Sequence, residues 1–580
     1  MDQKVDRRQF IGGSIAGMAA AASLSFASGS ANARVTGTGA WSPPSDEERR
    51  SLISTAEFGR KKSVAGKQGV AICTHPLATS VAIDILEMGG NACDAICAAS
   101  LAQTVVEPHM TTLSGVFSML HYDARSGSYS YVNGSMNAPK AHPIFKGGTK
   151  AFEALVMSGQ RDGTLVPVPG FWGGVEASHG KYGRLPMKTV MAPAIHYARH
   201  GFEIHPFLWG EMFVESSTLG AVAQGQEMYF KDRRLLNVGE KLVQSRHADT
   251  LERLAEEGSD YFYRGEFARK YAEAVQKAGG FLTIEDMEAW RPIIDEPVRS
   301  SYRDYELIAA PAPDFGGQAL IEIMNMIELM DVQKLGPAYA SAETTRRLLQ
   351  IIKKVYADAA TQRRNGAVEP VEKMISKALA AQRFASLDEK PAAAPPALAP
   401  PGSAHITVVD ADGNVATVLH SVMSMPYTTG IFVDGVYVCA GLLHLASGTP
   451  GPDGRVHSRI APNIFARDGK PVLASGSPSV SLTENIVQNT MNMLDFGLDI
   501  EASVHKPRFG GSDLKVPGAN MIEVDMGQDL IGQVRARGEM LVGTSPWDWM
   551  HGSFDGIRIA ENGMASACGD PRRTAQAMAR

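Results

Sequence analysis

Cysteine is scarce in this chain. There are five, Cys73, Cys93, Cys97, Cys439 and Cys568, among 580 residues. So small and odd a number excludes a disulfide scaffold. Cys93 and Cys97 stand one helical turn apart, a spacing that suits two metal ligands. No matching His/Cys pair follows, so they read as two small buried residues and no metal site is expected. An excess of one charge is also lacking: 56 Lys and Arg face 62 Asp and Glu, a net charge of −6. There is no basic stripe and no acidic tail, which argues against nucleic acid as a partner. Beyond the first 33 residues no run is long and apolar enough to span a membrane. No internal repeat is visible. What remains is globular composition, 44% hydrophobic and 20% charged, long enough for a large core or several domains.

The N-terminus has the architecture of an export signal. "MDQKVDRRQFIGGSIAGMAAAASLSFASGSANA" has a charged start, a weakly apolar Gly/Ala-rich stretch and a small-x-small end at Ala31-Asn32-Ala33. The pair Arg7-Arg8 reads as the twin-arginine variant, which the weak hydrophobicity favours over an ordinary Sec signal with chance arginines. Residues 1–33 are therefore expected to be a Tat-like signal peptide. The mature chain would begin near Arg34, in the periplasm or outside the cell.

Further on, "GVAICTH" and "VFSMLHYD" read as strands. Residues 180–290 and 317–383 are mostly helical in pattern, with "LTIEDMEAW" capped by Thr283. A Pro/Ala-rich arm covers about 388–401. Directly after it the pattern turns β-rich. "HITVVD" and "VATVLHSV" flank the turn "ADGN", a β-hairpin signature. "SLTENIVQNTMNMLDFGL" then supplies one helix, and the rest returns to short strands. Strands and helices on both sides of the arm point to layered α/β sheets rather than a helical bundle.

The arm ends on Gly402-Ser403, and there the sequence offers chemistry. A flexible segment able to leave, a small residue before the cut, and a hydroxyl residue opening a strand suit self-cleavage. The Ser403 hydroxyl attacks the preceding carbonyl, an N-to-O acyl shift follows, and hydrolysis frees a new α-amine. An α-amine has a reference pKa of about 8 and serves as a base near neutrality. It can activate the hydroxyl of its own residue. Thr407, inside the strand, is the poorer candidate.

Several blocks resemble the γ-glutamyltransferase family of N-terminal nucleophile hydrolases, in family order and from about residue 63 to 575. They include "THPLATSVAIDILEMGGNACDA" at 74–95, "VPGFWGG" at 168–174, "APAIHYARHGF" at 192–202 and "GGFLTIEDM" at 279–287. Others are "EPVRSSYRDYEL" at 296–307, "PAPDFGGQAL" at 311–320, "GSPSVS" at 476–481, "DFGLDIEASVHKPRF" at 495–509 and "GDPRR" at 569–573. The resemblance implies an α/β fold of four layers, an αββα sandwich. It implies a large-subunit region, 34–402, and a small-subunit region, 403–580, cut from one precursor and held as a heterodimer. It places Ser403 where the family has its nucleophilic Thr, a change that keeps the hydroxyl and loses a methyl. Ser421 matches a Thr that helps activate the nucleophile. Ser479 and Val480 match two glycines whose N–H groups hold the oxyanion, and Val480 is poorly suited to a positive φ. No cofactor is implied.

The substrate pocket departs from the family pattern. Ser135 stands where the family has the Arg that binds the glutamyl α-carboxylate. Met423 replaces an Asn, and Ser458-Arg459 replaces a Ser-Ser pair. The family's acid-bearing lid segment is here "CAGLLHLAS", 439–447, with no acid. Leu442, Leu443, Leu445 and Met425 make the surroundings apolar. Arg459 offers a new anion contact, and His109 and His444 offer polar groups, although a satisfied core histidine is the plainer reading of each. The expectation is an exported, autoprocessed amide hydrolase or acyltransferase whose small-molecule substrate is a γ-glutamyl compound or another N-acyl amide. A non-catalytic exported binding scaffold is the alternative.

Overall fold

The computed structural model describes residues 40–146, 162–364, 369–387, 402–447, 450–512, 516 and 518–580. Residues 1–33, expected to be a signal peptide, and the Pro/Ala arm at 388–401 lie outside them.

Two seven-stranded sheets carry the fold. In the first, Gln576–Ala579, Gly69–Cys73, Ala404–Asp410, Val415–Ser421, Val116–Asp123, Ser128–Gly134 and Ile293–Asp295 lie side by side in that order, each antiparallel to the next. The second runs Ser63–Gly66, Ala565–Cys568, Ile557–Ile559, Lys470–Ser475, Asn463–Arg467, Tyr305–Ala309 and Val298–Tyr302. Alternation along the strands decides what each face meets. Val70, Ile72, Leu120, Tyr131 and Val409 point from the first sheet onto Ile308, Ile464, Ala474 and Ile557 of the second. Ala71, Cys73, Met119 and Val418, on the other face, pack under helices Pro76–Glu87, Ala92–Val106 and Phe171–Tyr182. Leu307, Phe465 and Leu473 face outward from the second sheet, onto helices Phe315–Ile327, Ala342–Arg364 and Leu482–Leu494. The order of layers is helix, sheet, sheet, helix, the expected αββα sandwich. Each fully buried Leu, Ile or Val in these interfaces contributes about 1.5–3 kcal/mol.

The hairpin forms as its sequence requires. Gly413 takes φ +85° in the turn, a conformation that costs glycine nothing. Asp410 braces the turn: its carboxylate accepts from Asp412 N at 3.0 Å, Asn414 N at 2.9 Å and Asn414 Nδ2 at 2.8 Å. It also accepts from Ala92 N at 2.9 Å, which ties the turn to the start of a helix. The register that results, Ala404 opposite His420, sets Ser403 opposite Ser421 one step further on. Thr283 caps helix Ile284–Ala289 in a capping box with Asp286.

Two elements depart from expectation. The stretch after residue 495 contains helices Ile500–Val504 and Gln528–Ala536 as well as strands. The first is a five-residue turn capped by Asp499. The second is polar, with Ile531 and Val534 its buried residues, too sparse an apolar stripe to show in the sequence. Cys93 and Cys97 are buried, with sulfurs against the carbonyls of Ser178 and Val175, so they pack one helix closely on another. No helix among the described residues is long and apolar enough to cross a membrane.

Candidate active site

The registers bring six segments to one edge of the first sheet. Across that edge run Arg573-Thr574, then Thr74-His75, Gly402-Ser403, Ser421 to Met423, Ser114-Gly115 and Ser135. Ser403 sits in the middle, with Arg573 on one flank and Ser135 on the other.

Ser403 is 8% exposed. Its hydroxyl donates to Ser421 Oγ at 2.9 Å. Ser421 Oγ in turn donates to the carbonyl oxygen of Gly402 and accepts from Met423 N at 2.8 Å. This is a short relay, O–H to O–H to carbonyl, that starts at one hydroxyl and ends on the carbonyl that hydroxyl would attack. Met423 contributes its backbone N–H to this arrangement, from a φ of +52°. Gly402 fits where a side chain would not: a Cβ there would lie 2.6 Å from Val422 Cγ2 and 2.7 Å from Ser424 O. Among the described residues no imidazole or carboxylate hydrogen-bonds to Ser403 Oγ. The nearby histidines are fully buried and held neutral. Burial, then the neighbouring imidazoles and Arg573, keeps His109 well below its usual range, and burial brings His205 and His420 down to about 3. A base for the hydroxyl must come from elsewhere.

Two charged residues that sequence reasoning did not single out reach this edge. Arg573 Nη2 donates to the Ser403 carbonyl at 3.2 Å, and its guanidinium lies over the Phe207 ring at 5.3 Å. Glu107 Oε1 is 3.9 Å from Arg573. Its other oxygen accepts from Thr74 Oγ1 at 2.5 Å and Gln103 Nε2 at 2.8 Å, and Gln103 pairs with His420 beside Ser421. The signal for Arg573 was present in the "GDPRR" block; that for Glu107 was not.

Ser479 and Val480 follow strand Lys470–Ser475 of the second sheet. The positive φ of this turn falls on Ser479, at +85°, rather than on Val480, a position uncommon for a residue with a side chain. Val480 is buried against Met521 and Met550. The loop reaches the Ser403 strand through Gly476, where a Cβ would lie 2.0 Å from the His405 ring. Neither Ser479 nor Val480 bonds to Ser403 among the described residues.

The residues expected to bind substrate are only partly gathered. Ser135 Oγ donates to Val456 O at 3.3 Å, and its carbonyl accepts from Arg455 Nη1 at 2.7 Å and Trp290 Nε1 at 3.0 Å. Ser458 donates to Asp314, which also accepts from Tyr131 OH at 2.5 Å and Asn133 Nδ2 at 3.0 Å. A cation and an acid from other segments, Arg455 and Asp314, thus lie near these serines. Both are occupied by internal partners, Arg455 also bonding to Asn133 and the Arg291 carbonyl. Arg459 lies over the Tyr356 ring at 5.5 Å. Leu442 and Leu445 are buried in the core beside Met136 and Val456. The side chain of His444 lies outside the described residues.

A four-layer sandwich with a hydroxyl residue at the head of a central strand defines the class of N-terminal nucleophile hydrolases. A model of the gamma-glutamyltranspeptidase family matches residues 78–580, and the chain belongs to that family. The glutathione hydrolase proenzyme of Escherichia coli K12 is 29% identical over 543 residues, 88% of this chain and 91% of that protein. The acylase ACY 1 proenzyme of Pseudomonas sp. SE83 is 28% identical over 77% of this chain and 83% of its own. In fold, the chain resembles the crystal structure of cephalosporin acylase from Bacillus halodurans, with a TM-score of 0.79 at 24% identity over 90% of this chain and 97% of that one. The protein is therefore an enzyme of the hydrolase and acyltransferase kind, and the binding-scaffold reading is set aside.

Proposed function

We propose that the chain is an exported precursor that cuts itself between Gly402 and Ser403, and that the freed Ser403 is the nucleophile of an amide hydrolase or acyltransferase. The observation that carries this reading is the relay from Ser403 Oγ through Ser421 Oγ to the Gly402 carbonyl. In processing, Ser421 polarises that carbonyl while Ser403 Oγ bonds to its carbon. The Gly402–Ser403 C–N bond breaks, and the nitrogen takes up the proton that the hydroxyl gives up. Water then hydrolyses the resulting ester, leaving a Gly402 carboxylate and a Ser403 α-amine. In turnover the same hydroxyl attacks a substrate amide; the α-amine takes the hydroxyl proton and passes it to the leaving nitrogen as the amide C–N bond breaks, which leaves an acyl ester on Ser403. The acyl group passes to water or to an acceptor amine. Backbone N–H groups of Ser479 and Val480 are assigned to the oxyanion. The two chains, 34–402 and 403–580, stay together because the first sheet alternates between them: Gly69–Cys73 pairs with Ala404–Asp410, and Val415–Ser421 with Val116–Asp123. Export rests on the twin-arginine sequence at 1–33.

For the substrate, the pocket argues against a free amino-acid head. Ser135 brings no cation, and Arg455 and Asp314 are taken up by internal partners. A glutamyl zwitterion would leave two ions unmatched, whereas an uncharged acyl group leaves none. Among relatives that include both a glutathione hydrolase and an acylase, this favours the acylase pattern. Processed enzyme is expected to show kcat/KM for a γ-glutamyl anilide roughly tenfold or more below that for a matched simple acyl anilide. Steady-state kinetics on the pair decide it, and a clear preference for the glutamyl compound would show that other residues rebuild the clamp.

A further inference from the structure

We propose that Arg573 and Glu107 act as a paired-charge device that sets the basicity of the α-amine created at Ser403. The proposal rests on the reading of Ser403 as an N-terminal nucleophile. Its basis is placement. Both residues are completely buried. The Arg573 guanidinium bonds to the carbonyl of the very residue whose nitrogen becomes the amine, at 3.2 Å. Covalent geometry then puts the cation within about 6 Å of that nitrogen. Glu107, 3.9 Å from the guanidinium, is the counter-charge. Burial raises this carboxyl; the Arg573 guanidinium and hydrogen bonds from Thr74 and Gln103 oppose that and favour the carboxylate.

Other titratable groups face this edge. His75, His109, His205, His405 and His420 are neutral, desolvated by burial. Burial pushes the Asp555 carboxyl well up, toward its neutral form. Glu211, at the rim, is also raised by burial. Asp570 also acts on Arg573; against burial it is held low by Arg508 and Arg572, which pair with it. Beside the residue that carries the amine stand Arg573 and its partner Glu107, whose effects on an ammonium oppose each other. The guanidinium disfavours the protonated amine, and the carboxylate favours it. An amine with a reference value of about 8 is mostly protonated at pH 7, so a cation held beside it raises the fraction available as base. Arg573 and Glu107 are thus positioning and tuning residues, with no part in bond making.

The test is the acid limb of the kcat/KM–pH profile on processed enzyme with a simple acyl anilide. Glu107→Gln leaves the guanidinium unopposed, and the limb is expected to move to lower pH by roughly half to one unit. Arg573→Gln removes the cation, and the limb is expected to move up by a similar amount. Arg573→Lys and Glu107→Asp keep the charges and should leave it in place. A merely structural role lowers the plateau in every variant without moving the limb. Shifts of the same sign, or none, overturn the proposal. Should Arg573→Gln remain uncut, the sign of the Glu107→Gln shift decides alone. Wild-type protein with a Ser403 end and an unresponsive limb sinks this proposal only. Wild-type protein with no such end sinks the nucleophile reading itself.

Discussion

Ser403→Ala stays a single chain and turns over no substrate. Processing stops because no oxygen is present to receive the Gly402 acyl group. Catalysis stops because no acyl-enzyme forms, and uncut protein lacks the amine base as well. Loss of a nucleophile costs several orders of magnitude, so activity should fall to below roughly one part in ten thousand. Fold should survive, since Ser403 carries one side-chain hydrogen bond, to Ser421. Circular dichroism alongside a denaturing gel separates the two. Ser403→Thr keeps the hydroxyl and should be cut and active. A Ser403→Ala protein that processes normally would move the chemistry to another residue.

Ser421→Ala is expected to slow processing by about a hundredfold to a thousandfold, the range found when one preorganised donor to a developing oxyanion is removed. Ser421 meets three partners at once: it takes the Ser403 hydroxyl proton's bond, accepts from Met423 N and donates to the Gly402 carbonyl. Alanine leaves the carbonyl unpolarised and Ser403 without a fixed orientation. Ser421→Thr retains the oxygen and should recover most of the rate. Time courses of cleavage for the two variants check this. Equal rates in Ser421→Ala and wild type would show that the contact has no bearing on cleavage.

Much of this site is legible in the sequence because it is local. "HITVVD", "ADGN" and "VATVLHSV" fix a hairpin, and hairpin register alone puts Ser403 opposite Ser421. The αββα layering follows from strand-and-helix alternation together with the family resemblance. What stays hidden is long-range. Arg573 meets Ser403 across 170 residues of chain, and no periodicity encodes such a meeting. Arg455 and Asp314 likewise arrive at Ser135 and Ser458 from segments that carry no local signal of it. Ser479 shows a third limit. The expectation weighed strain at Val480, but the turn places its positive φ one residue earlier, and only the loop's backbone path reveals which residue bears it. Arg459 has a charge that suits an anion site in the sequence, yet its direction, onto Tyr356, is a packing outcome.

The central claim is that a peptide bond in this chain is broken by its own Ser403, and N-terminal sequencing of the purified, folded protein tests it most directly. The account predicts a short chain beginning Ser-Ala-His-Ile-Thr, with a mass matching residues 403–580. A well-folded protein that remains one chain, or a short chain beginning at any other residue, would contradict it.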